Sequence, residues 1–354
     1  MTTPEQPTGT SSPEQAPAGD GRPVHVAVPR PAGDDWRLFR GNGERRDVDF
    51  PEAPPWRRFD RPESESGSES GTGAKVPYPR PYLIGPDEAD VVNAALHLRR
   101  PLLVTGQPGT GKSSLAHAIA HELNLGRVLQ WPVNSRSTLQ DALYQYDAVG
   151  RLREATLPRD ADGTEPDIGQ YIQLGPLGNA LVDRRRPRVL LIDELDKGDV
   201  DLPNDLLTVF EEGEFVIPEL ARLPKDHAPV HVQTDDPDEP AAIGRGHVRC
   251  TEFPVVVITS NGEREFPPAF LRRCIRLDLP EPDEQRLRDI VAAHLGPAAL
   301  AEVDDLLTTF LARRAAGELA TDQLLNAVFL RKGGIGLDAG PLLQSVLHRL
   351  GGAV

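Results

Sequence analysis

Gly106-Gln107-Pro108-Gly109-Thr110-Gly111-Lys112-Ser113 fills the pattern G-x-x-x-x-G-K-[ST], and its surroundings fit that pattern. The apolar run Leu102-Leu103-Val104 precedes it. After it, Leu115, Ala118, Ile119 and Leu123 recur on one face of a helical pattern. A strand, a glycine-rich turn and a helix N-terminus in that order build an anion cradle. Successive backbone N–H groups point inward, and the positive end of the helix dipole adds to them. Lys112 has the reach for β- and γ-phosphates, and the Ser113 hydroxyl suits Mg²⁺. Ser114 completes the candidate binding stretch. Residues 106–114 are therefore expected to hold a nucleoside triphosphate.

Two further strand ends add chemistry. Val189-Leu190-Leu191-Ile192 is a continuous apolar run of the kind buried on both faces of a parallel sheet. It ends in Asp193-Glu194. A carboxylate at that tip can hold Mg²⁺ through water, and a second beside it can polarise the attacking water. Asp193 is expected to serve the metal with Ser113, and Glu194 to prepare the water. Val255-Val256-Val257-Ile258 runs into Thr259-Ser260-Asn261, which places Asn261 at the strand-tip edge where open α/β sheets bind ligands, able to hydrogen-bond the γ-phosphate or the attacking water. Asn261 followed by Gly262 is equally a favoured turn dipeptide. Downstream, Pro268-Ala269-Phe270-Leu271-Arg272-Arg273 offers an arginine for the transferring phosphoryl group of a neighbouring subunit, or a plain solvated basic pair.

These four elements in this order resemble the AAA+ ATPases and, within them, the MoxR-like group. Gly175-Pro176-Leu177 and Leu206-Leu207-Thr208-Val209-Phe210-Glu211-Glu212-Gly213 add to the likeness, which covers about residues 78–350. The resemblance implies ATP and Mg²⁺ as ligands, a hexameric ring, and remodelling of a protein partner. It also implies Arg273, with Arg272 as runner-up, as the finger, and an adenine contact from Tyr82 to Gly85. There are departures. Leu195-Asp196-Lys197 stands where the group usually has Ile-Asn-Arg. The lid's second-sensor arginine has no counterpart in Gly336-Leu337-Asp338-Ala339-Gly340-Pro341, with Arg331 and Lys332 the nearby cations.

The fold expected is α/β: a three-layer αβα nucleotide-binding core over residues 78–280, then a small all-α lid over 281–354. Leu287, Ile290, Val291 and Leu295 mark the lid's helical periodicity, as do Leu306, Leu307, Phe310 and Leu311, then Leu324, Leu325, Val328 and Phe329. Residues 1–77 read as a disordered tail holding 12 of the 35 prolines and the low-complexity stretch Ser64 to Gly71. Trp36, Phe39, Phe50, Trp56 and Phe59 form an aromatic patch in it, suited to dock on the protein's own core or on a partner. Two long segments, Gln130 to Gln173 and Ile217 to Thr251, correspond by resemblance to the group's helix insertion and extra hairpin.

A net charge of −15 argues against broad nucleic-acid binding. Arg184-Arg185-Arg186-Pro187-Arg188 reads as a solvated loop, with a contact to an acidic partner or subunit as the alternative. No run spans a bilayer and no signal segment is seen, so a cytoplasmic location is expected. Cys250 and Cys274 have neither metal nor redox spacing. His117 and His121 lie one helical turn apart but lack an acidic third ligand nearby. The expected activity is ATP hydrolysis by a ring remodeller, against a nucleotide-gated switch with little turnover. Without an Asn-Lys-x-Asp motif a GTPase is disfavoured, and the lid and arginine pair argue against a metabolic phosphotransferase.

Overall fold

The computed structural model describes residues 38–49, 82–156, 167–182, 184–224, 226–236, 238–314, 319–332 and 341–348. The elements begin with α1 (Pro86–Leu98), β1 (Leu102–Thr105), α2 (Lys112–Glu122) and β2 (Leu129–Pro132). There follow α3 (Leu139–Leu143), β3 (Tyr144–Tyr146), α4 (Ala148–Thr156), β4 (Ile172–Leu174) and α5 (Pro176–Ala180). Next are β5 (Val189–Asp193), α6 (Leu202–Glu212), β6 (Glu214–Val216), α7 (Pro218–Ala221), β7 (Val230–Val232), β8 (Ala241–Ile243) and β9 (His247–Arg249). The core closes with β10 (Val255–Ser260), α8 (Pro268–Leu271) and β11 (Ile275–Asp278). Beyond it come α9 (Glu284–Leu295), α10 (Asp304–Arg314), α11 (Thr321–Lys332) and α12 (Pro341–Val346).

Five parallel strands form the central sheet in the order β11-β1-β10-β5-β2. The apolar runs split between its faces with the period of two that a pleated strand imposes. Leu103, Leu190, Ile192, Val256 and Ile258 join one buried cluster with α5 and α6. Leu102, Val104, Val189, Leu191 and Val257 join the other with α1 and α2. The expected three-layer α/β architecture is therefore present. Register sets Val104 opposite Thr259 and Ile258 opposite Ile192, so three strand tips end at one level.

The long segments fold into small antiparallel pairs: β3 with β4, β6 with β9, and β7 with β8. Helices α9 to α12 gather around a separate cluster containing Leu287, Val291, Leu306, Phe310, Leu324 and Val328. Phe329 departs from the expected apolar face: it is 63% exposed. Among the described residues no helix is long and apolar enough to cross a membrane.

Part of the segment read as tail packs on the core. Phe39 is 1% exposed and sits in the cluster with α1 and α2. Buried Asn93 accepts the backbone N–H groups of Leu38 and Phe39 and donates to the carbonyls of Phe39 and Ala89. Glu122, buried at the end of α2, accepts the N–H groups of Arg40 and Gly41 and faces Arg46. Burial lifts its proton affinity against these donors. Trp36, Phe50, Trp56, Phe59, the stretch Ser64 to Gly71 and most of 160–167 lie outside the described residues.

The arginine run is likewise paired rather than free in solvent. Arg184 meets Glu239, Arg188 meets Asp235, and Arg186 meets Asp47 while also donating to the carbonyls of Val48 and Leu123. Asn93→Ala is expected to lower unfolding stability by about 1–3 kcal/mol, because it strands buried backbone groups of Leu38 and Phe39. A denaturant midpoint equal to that of the natural chain would show this segment contributes nothing.

Candidate nucleotide site

The cradle forms at the C-terminal tip of β1, as its sequence requires. Gly106, Gly109 and Gly111 have φ of 147°, 79° and 91°, a region that side-chain-bearing residues rarely adopt. Gly109 also admits the lid: a Cβ there would lie 2.3 Å from the Cβ of Ala320, just ahead of α11. Gly111 packs against Tyr82, whose ring would be 3.2 Å from an added Cβ. Gln107 and Gly109 are exposed, Pro108 and Thr110 half-buried, and the Thr110 hydroxyl donates to the Gln107 carbonyl at 2.9 Å.

Lys112 is 7% exposed, and its Nζ donates to the carbonyls of Gly106 (2.7 Å) and Gln107 (2.9 Å). Burial lowers its pKa, while Asp196, Glu194 and Asp193 work in the opposite direction. Ser113 is half-buried beside it, and Ser114 is exposed on the helix.

The strand tips converge on Asp193. Its Oδ1 accepts the hydroxyls of Ser113 and Thr259, each at 2.6 Å. Glu194 follows in the left-handed region (φ 58°), and its N–H donates to Thr259 Oγ1 at 2.8 Å. Its carboxylate takes two donors: Lys197 Nζ on Oε2 at 2.8 Å, and Asn261 Nδ2 on Oε1 at 3.2 Å. Asn261 therefore reaches Glu194, as a residue at the β10 tip can. Buried Asp196 accepts the backbone N–H groups of Asn261 and Glu263 on Oδ2. Sequence reasoning missed the parts played by Thr259 and Asp196. Thr259 carried a signal, being the first polar residue in an otherwise apolar buried strand, whereas Asp196 read only as a departure.

Arg272 and Arg273 are not brought to the cradle of their own chain. Arg273 Nε donates to Glu211 on α6 at 2.8 Å and its guanidinium to the Ala269 carbonyl, while the Arg272 carbonyl accepts from Arg100. Arg331 pairs with Asp305 on the lid, the Lys332 side chain falls outside the description, and so do residues 333–340. The sequence reading did not foresee Arg286 on α9. It pairs with Glu88 through two nitrogens (3.0 and 2.9 Å) and donates to the Leu83 carbonyl, joining lid to core beside Tyr82–Gly85. Burial works against ionisation of Glu88, yet Arg286 and the Gly85 N–H hold its pKa below the usual value.

Ser113 and Asp193 supply a hydroxyl and a carboxylate at the cradle mouth, an oxygen donor set of the kind Mg²⁺ takes. The parallel sheet with its flanking helices and this loop are those of an α/β P-loop core. Residues 101–274 match the family described as AAA domain (dynein-related subfamily). Over 119 residues the chain is 32% identical to the chaperone protein ClpB of Chlamydia caviae and equally to that of Chlamydia pneumoniae. Each alignment covers 32% of this chain and 12% of the ClpB chain, so only a small part of those relatives is spanned. These likenesses support an AAA+ ATPase, and an AAA domain implies nucleotide binding and ATPase activity in general.

Proposed function

We propose that this chain is a MoxR-like AAA+ protein that binds and hydrolyses ATP and uses the cycle to remodel a protein partner as a ring oligomer. The observation that carries the reading is the convergence on Asp193: one carboxylate oxygen joins the hydroxyls of Ser113 and Thr259, with Glu194 next in the chain. The backbone of residues 106–113 would cradle the phosphates, and Lys112 would exchange the carbonyls of Gly106 and Gln107 for phosphate oxygens. Ser113 and Asp193 would hold Mg²⁺, which supplies charge neutralisation on the phosphate oxygens. Glu194 would take the proton of the attacking water while Asn261 holds the carboxylate in place. The adenine would lie along Tyr82–Gly85. AAA+ proteins commonly form hexameric rings, which would offer Arg273 a neighbour's phosphate once it leaves Glu211. A core over 78–280 joined by the docked 38–49 segment of the expected 1–77 tail, a lid over 281–354 and a cytoplasmic location belong to the same proposal.

The alternative is a nucleotide-gated switch with little turnover. It is favoured by the absence, among the described residues lining the lid side of the phosphate loop, of any Lys or Arg: Ala320, Asp322, Gln323 and Asn326 stand there with Gly109. Steady-state ATPase rate against protein concentration, alongside sizing with ATP, separates the two. The ring reading expects specific activity to rise with concentration as a large species appears. A monomer of slow, concentration-independent turnover would replace it with the switch.

A further inference from the structure

Glu194 is better occupied than a waiting base needs to be. Both of its carboxylate oxygens already accept a protein donor, Lys197 on one and Asn261 on the other. The lysine is placed there by the backbone. Leu195–Lys197 forms a 3-10 turn, and the Lys197 N–H donates to the Glu194 carbonyl at 3.0 Å. The turn brings Lys197 back to within reach of Glu194, three positions before it. The turn is itself held: Thr259 accepts the Glu194 N–H, and Asp196 accepts two N–H groups from the loop after β10.

We propose that Lys197 is a positioning residue that restrains Glu194, so that hydrolysis waits on the opening of this one ion pair. The proposal rests on the reading of Glu194 as the base that prepares water. The ammonium occupies Oε2, the oxygen a water would approach, and Asn261 occupies the other. The pair is built to open. Its side chains are 40% and 41% exposed, which makes it an ordinary surface ion pair in strength. Other carboxylates stand ready for the ammonium. Glu263 and Asp196 both act on Lys197 electrostatically, and buried Asp196 Oδ1 has no hydrogen-bond partner among the described residues.

The test is steady-state ATP hydrolysis by the full chain and two variants, with ATP binding titrated separately. Lys197→Met is expected to raise kcat about two- to fivefold, the amount an exposed ion pair typically controls, with KM for ATP unchanged. Lys197→Arg keeps a cation over Glu194 and is expected to return kcat to that of the natural chain. An unchanged or lower kcat in Lys197→Met beside an active natural chain overturns the restraint alone. So does a rise in KM that matches the rise in kcat, or a Lys197→Arg rate equal to that of Lys197→Met. If all three proteins bind ATP and none hydrolyses it, Glu194 is not a working base. The restraint then falls together with the hydrolysis reading.

Discussion

Glu194→Gln is expected to bind ATP as the natural chain does and to hydrolyse it about 10²–10⁴-fold more slowly, the usual worth of a positioned general base. The substitution keeps the size of the side chain and one carbonyl oxygen, so a single contact with Lys197 or Asn261 can persist. It removes the lone pair that takes the proton of water. Asp193, Ser113 and the glycine loop are untouched, which is why affinity is expected to hold. Arg273→Ala should match it in kind, with normal binding and failed turnover, because a finger supplied in trans is typically worth 10³–10⁵ in rate. Mixing the two variants should recover part of the activity, since some sites then combine an intact Glu194 with a neighbour's intact Arg273. The measurements are ATP titration, phosphate release from each variant and from mixtures, and sizing with ATP. Undiminished phosphate release by Glu194→Gln would remove it as the base. No recovery on mixing, with the protein monomeric throughout, would remove the shared site.

Lys112→Ala is expected to lose ATP binding or turnover almost completely while remaining folded. Lys112 is the only cation within 106–113, and the phosphate chain it would meet is close to three carboxylates: Asp193, Glu194 and Asp196. Without it the cradle keeps its N–H groups but presents net negative surroundings to an anion. The fold should survive because the positive-φ conformations of Gly109 and Gly111 belong to the glycines, and the carbonyls of Gly106 and Gln107 can turn to water. Titration with ATP and a thermal melt read the two halves separately. ATP binding and phosphate release both as in the natural chain would reject the cradle, and an unfolded variant would show Lys112 to be structural.

The site was legible where chemistry follows directly in sequence from a strand. The cradle, Asp193-Glu194 and Asn261 each sit at the end of an apolar run, and parallel pairing brings such ends to one edge. Its internal wiring was less legible. Thr259 reaches Asp193 across 66 positions and Asn261 reaches Glu194 across 67, contacts that no local pattern encodes. The arginine run was misread for the same reason: Arg186 finds Asp47 139 positions away, and composition alone sees a charged loop. Phe329 shows the opposite limit. Helical periodicity puts it with Leu324 and Val328, yet none of the described residues covers that side. Of the aromatic patch, Phe39 docks on the protein's own core, and it was its companions on either side that obscured which aromatic would do so.

The packing of Phe39 sets a rule for anyone trimming this protein. A recombinant version begun at residue 78, where composition changes, would keep every nucleotide-binding motif and still damage the scaffold behind them. It would uncover the greasy pocket between α1 and α2 and leave Asn93 and Glu122, interior polar groups satisfied by residues 38–41, without their donors. Glu122 closes the helix that Lys112 opens, so the injury would be felt 10 residues from Lys112 of the phosphate loop. Start sites for expression, and the position of any cleavable tag, belong upstream of Leu38.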